Sequence, residues 1–152
     1  MSLDFEKYAA KGNEMVNMVA EDLKVPGDKA GRILRAVLHA MRNRLNIDES
    51  LQVVAQLPMA LKGVYIDQWD PWHSFHRIHH IDEFINEVRK YDKTTASYDF
   101  GNDESARLAV KAVFRTLNYY LSAGEFRDVI AVLPRELKEF IQNSMSSARK
   151  VL

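Results

Sequence analysis

Apolar side chains recur three and four residues apart along most of the chain, and no stretch alternates apolar with polar for long enough to make a half-buried strand. Phe5, Tyr8, Ala9, Gly12, Met15, Val16, Val19, Ala20 and Leu23 share one face of a first helix. Val25-Pro26-Gly27 stops it, and Asp28 is placed to cap the next. Ile33, Leu34, Val37, Leu38, Met41 and Leu45 define that second helix. In the other half, Ile81, Phe84, Ile85 and Val88 mark a shorter helix, and a polar stretch from Tyr91 to Asn102 separates it from one carrying Val110, Val113, Phe114, Leu117 and Leu121. The pattern predicts an all-α helical bundle.

A shift of 76 residues lays Ala30–Tyr65 over Ala106–Ile141 without a gap. Ala36/Ala112, Val37/Val113, Leu45/Leu121, Glu49/Glu125, Val53/Val129, Leu57/Leu133, Pro58/Pro134, Leu61/Leu137 and Lys62/Lys138 are identical. Shared helical periodicity aligns apolar positions by itself, but it does not align a Pro, a Glu and a Leu-Pro-x-x-Leu-Lys string. The expectation is two tandem copies of a three-to-four-helix unit sharing one core: a single domain over 1–152, with repeat 1 at about 3–66, a linker at about 67–79 and repeat 2 at about 80–150. Asn46 with Glu49 and Ser122 with Glu125 have the form of capping boxes, in which the first side chain bonds an orphan N–H and the Glu reaches back. Pro58 and Pro134 suit the first position of a new helix, so each Leu-Pro reads as a junction opening a short amphipathic helix, the second running nearly to the C-terminus. These six residues are read as structural.

The strings LSAGEFRDVIAVLPRELKEFI and VLHAMRNRLNIDESLQVVAQLPMALKGVY, the latter followed by Trp69, resemble the bacterial proteins grouped as domain of unknown function 2267. The likeness runs from the first helix to about Ile141; Val132 departs from it where such sequences repeat the Gln of Gln56, and the His-rich segment after Trp72 is individual to this chain. The resemblance implies an all-α fold in a bacterial, cytosolic protein and brings no established reaction, cofactor or catalytic residue.

Composition narrows the function further. Lys+Arg and Asp+Glu both total 21, which argues against a dedicated nucleic-acid binder. The absence of cysteine removes disulfides, thiolate metal sites and a cysteine nucleophile, and fits a cytoplasmic setting. The first eleven residues do not form a signal peptide, and no apolar run approaches the roughly 20 residues that span a bilayer. No Gly-rich phosphate loop, nucleophile elbow or Ser/His/Asp set is found.

Two local features carry candidate chemistry. Four of the five histidines fall between Trp72 and Ile81; on a helix His76 would lie near both His79 and His80, and with His73 and Asp82 (or Asp70 or Glu83) they offer ligands for a divalent metal, although no recognised zinc spacing appears and the sequence requires no cofactor. Arg32, Arg35, His39 and Arg42 cluster within roughly 80° of a helical wheel, opposite the apolar face, as a basic stripe that suits phosphate or an acidic partner, although solvated helix faces carry Arg routinely. Arg44 falls at the edge of the apolar sector, where its stem can lie on apolar surface and its head pair with a carboxylate. The favoured function is a non-catalytic helical module for protein interaction or self-association, its contact surface marked by Tyr65, Trp69 and Trp72 with Arg32, Arg35 and Arg42. The alternative is a metal- or small-ligand-binding protein built on His73–His80.

Overall fold

The computed structural model describes residues 3–72, 80–92 and 96–150. Among them the regular structure is entirely helical: α1 (Phe5–Leu23), α2 (Gly27–Asn43), α3 (Ile47–Gln56), α4 (Met59–Ile66), α5 (Ile81–Asp92), α6 (Ala96–Phe100), α7 (Asp103–Tyr120), α8 (Ala123–Ala131) and α9 (Arg135–Lys150). No helix among the described residues is long and apolar enough to cross a membrane.

Helix boundaries follow local chemistry. Asn46 and Ser122 each accept the N–H of the Glu three residues on, while Glu49 and Glu125 accept the N–H groups of Asn46 and Ser122, so both capping boxes are complete. Replacing either Asn46 or Ser122 by alanine is expected to cost about 1 kcal/mol, read as a lower urea midpoint with unchanged slope. Pro58 is the N-cap residue of α4, one position before the helix begins, and α9 likewise begins just after Pro134. The recurring Leu-Pro-x-x-Leu-Lys string thus joins two helices. In the first half, Leu57 and Leu61 are buried and Lys62 turns back to donate to Val54 O and Ala55 O at the open end of α3.

Two boundaries differ from the pattern. Asp28 does not cap α2: Pro26 holds the cap position without a side-chain bond, and Asp28 lies in the first turn facing Arg32. The stretch from Tyr91 to Asn102 is not simply a polar spacer, since α6 lies inside it and buries Asp99 and Phe100. Gly101, at φ 55°, turns the chain out of α6 into the Asn102 cap of α7.

α2 is the hub of the core. It packs against α1, α4, α5, α6 and α7, and ten of its residues are buried. Exchanging the halves of the chain exchanges the packing: α1 lies on α7 as α5 lies on α2, α2 lies on α4 as α7 lies on α9, and α3 meets α8. Val37 and Val113, Leu38 and Phe114, Met41 and Leu117, Val53 and Val129 are buried at matching positions. α1 departs from its sequence pattern at its start, where Phe5 and Ala9 are exposed and burial begins in earnest at Met15.

Candidate functional site

An α-helix ends with four carbonyls that have no partner inside it. In α4 these belong to Gly63, Val64, Tyr65 and Ile66, and each is met by a different group. Gly63 O accepts from Asp67 N at 3.0 Å and Ile66 O from Trp69 N at 3.0 Å. Val64 O accepts from His39 Nε2 at 2.7 Å, and Tyr65 O from Arg42 Nη1 at 2.7 Å, with Asp67 O 2.8 Å from the same nitrogen. The guanidinium also places its charge at the negative end of the α4 dipole.

The basic stripe on α2 is therefore not a solvated face. His39 and Arg42 are each only 6 % exposed, because α4 lies along the side of α2 that the helical wheel leaves to water. Arg32 is held by Asp99 on α6 through a fork, Nε to Oδ2 at 2.7 Å and Nη2 to Oδ1 at 2.8 Å, which raises its pKa further. Arg35 alone of the four is exposed. Arg44 and Asn43 both reach the buried carboxylate of Glu87 on α5. Tyr65 does not belong to a contact surface either: it is fully buried, and its hydroxyl lies 2.9 Å from Ser50 Oγ.

His39 has a consequence for pH. A carbonyl only accepts, so Nε2 carries a proton directed at Val64 O. Desolvation foremost, then the Arg42 and Arg35 charges, push its pKa below the ordinary 6.5, against the opposing pull of Val64 O and Asp67. The unfolded chain takes up a second ring proton as pH falls through 6.5 while the folded chain resists. Stability is then level above neutrality and declines as pH drops below 6.5 toward the folded value. His39→Gln keeps a donor without the titration; its urea midpoint should fall less between pH 7.5 and 5.5 than that of the native chain. Equal falls would contradict this assignment.

The capped end of α4 leads into a cleft. Gln68, at φ 61°, reverses the chain, and Trp69 returns edge-on to Tyr65 with ring centroids 6.3 Å apart. Asp70 accepts the Trp72 N–H at 3.1 Å, closing a short turn. Between this turn and the α2–α3 junction runs a groove of about 570 Å³ lined by Arg42, Asn43, Leu45, Asn46, Ile47, Asp48 and Trp69–Trp72. Trp72 is 85 % exposed on its wall. A second groove, of about 380 Å³, carries Asn118, Ala123 and Met145 where the first has Arg42, Ile47 and Trp69, 76 positions earlier. The sequence singled out the two tryptophans; Asn43, Ile47 and Asp48 it did not, since nothing in their spacing tells that the α2–α3 turn faces them.

Of the candidate metal ligands, His73, His76 and His79 lie outside the described residues. The other two face protein groups. His80 Nδ1 is 3.1 Å from Glu136 Oε2, whose other oxygen accepts the Ile81 N–H at 2.7 Å and so caps α5 from α9. That backbone bond, and next the His80 ring, hold the Glu136 carboxyl below its usual range. Asp82 pairs with Arg107 at 2.5 Å. Among the described residues no group of three or more His, Cys, Asp and Glu side chains is placed to hold a metal ion.

No curated protein matches the chain. A family model described as an uncharacterised conserved protein, domain of unknown function 2267, matches residues 12–140. That span takes in both capping boxes, both Leu-Pro junctions and the Trp-lined groove. The chain belongs to the domain of unknown function 2267 family.

Proposed function

We propose that this chain is a non-catalytic helical module that binds another protein, or a second copy of itself, through the face carrying Trp69 and Trp72. One observation carries the reading: an indole 85 % exposed on the wall of a groove of about 570 Å³. An aromatic of this kind offers on the order of 150–250 Å² to a partner, and Trp in a cleft is the side chain most often found to anchor an interface.

The wider reading is that the chain is two copies of one three-to-four-helix unit, about 3–66 and 80–150, joined at about 67–79 and folded as one domain. Its support is the recurrence of helix starts at the same offset, Phe5/Ile81, Gly27/Asp103, Ile47/Ala123 and Met59/Arg135, together with the paired capping boxes. On this view the recurring residues build each unit, and binding resides in what the copies do not share. The setting is a bacterial cytoplasm, in keeping with a chain that has no cysteine.

A photo-crosslinking amino acid placed at position 72 in living cells tests the module. A discrete adduct is expected from position 72, its mass telling a second copy from another protein, and none from position 119, where Tyr119 is 71 % exposed outside the groove. No adduct from 72, or the same adducts from both, would overturn the reading.

A further inference from the structure

Resting on that reading, we propose that the Trp69–Trp72 groove takes a cationic side chain, Lys or Arg, from an extended segment of the partner protein. Asp48 and Asp70 line it, both are exposed, and neither has an ion-pair partner among the described residues. The one cation in the lining, Arg42, is buried with its Nη1 directed at Tyr65 O and Asp67 O. The groove therefore presents two carboxylates beside two indoles, whose ring faces attract cations. The α3 N-terminus, whose partial positive charge would oppose this, is closed by its capping box, with Asp48 and Glu49 in its first turn.

Charge decides between occupants. An anion would meet two carboxylates, and a neutral apolar chain would strip them of water without replacing it. An ammonium or guanidinium carries the charge that both carboxylates and the indole faces attract. The counterpart groove differs in this respect: Arg127 and Met145 line it and no carboxylate does, so cation binding belongs to the first groove alone. A peptide segment fits better than a free amine because a small cation covers one ring face, whereas Trp72 leaves most of its surface to be covered.

The chain's only two tryptophans both line this groove, so intrinsic fluorescence reports its occupancy directly. The full-length protein is titrated with the peptide Gly-Gly-Lys-Gly-Gly, with the same peptide carrying norleucine for lysine, and with tetramethylammonium. The lysine peptide should perturb the signal saturably, at least about fivefold more tightly than the norleucine peptide, and binding should weaken with added salt. Asp48→Asn/Asp70→Asn, checked for unchanged helicity by circular dichroism, should lose that preference. Equal or tighter binding of the norleucine peptide would overturn the cation claim while leaving the module reading intact. Tetramethylammonium binding as tightly as the lysine peptide would overturn the peptide source. Silence with every probe would overturn this inference, and the crosslink at position 72 tells separately whether the module reading falls with it.

Discussion

Arg42→Met is expected to destabilise the chain by about 2–4 kcal/mol, the cost of leaving the Tyr65 and Asp67 carbonyls without their charged donor. The methionine fills comparable volume, so the loss reports the hydrogen bonds more than packing. The matching position in the second half is Asn118, and Asn118→Ala should stay within about 0.5 kcal/mol. The asymmetry has a physical cause. α4 stops at Ile66 and exposes four carbonyls, whereas α9 runs on to Lys150, so the turn ending at the matching Gln142 is interior to a helix and needs no outside donor. Urea midpoints of the two variants check this. Equal losses, or a neutral Arg42→Met, would mean that water serves the end of α4 as well as α2 does.

Truncating Phe114 to alanine is expected to cost about 3–5 kcal/mol, and Leu38→Ala about 2–5 kcal/mol. Both are fully buried, at matching positions on α7 and α2, and these two helices pack against each other. Because the core is continuous across the halves, each variant should lower one cooperative transition, by roughly 10 °C in melting temperature. Calorimetry distinguishes this from independently folding halves, in which Leu38→Ala would move one of two resolved transitions and leave the other in place.

Local rules made much of the fold legible. The capping boxes at Asn46 and Ser122 involve residues three apart, and apolar spacing placed the helices that carry most of the core. What escaped was whatever depends on a distant segment. A helical wheel puts His39 and Arg42 opposite the apolar face, and only the return of α4 along that side buries them. Asp99 lay in a stretch that reads as polar, and its partner Arg32 is on another helix; Gly101-Asn102, a helix stop followed by a cap, was the available signal for α6. Tyr65 looked like its tryptophan neighbours until its hydroxyl found Ser50. The groove was half legible, through Trp69 and Trp72, because its other wall is the α2–α3 turn.

The proposed division gives the fold to the recurring residues and binding to the tryptophan face, and a paired readout on two variants separates these roles most directly. Melting temperature and the crosslink from the groove are measured on Glu49→Ala/Glu125→Ala, with the crosslinker at position 72, and on Trp72→Ala, with the crosslinker at position 69. The first variant should melt lower yet keep its adduct at temperatures where it is folded; the second should melt like the native chain and lose it. The opposite pairing, an adduct abolished in the folded glutamate variant and undiminished without Trp72, would contradict the account.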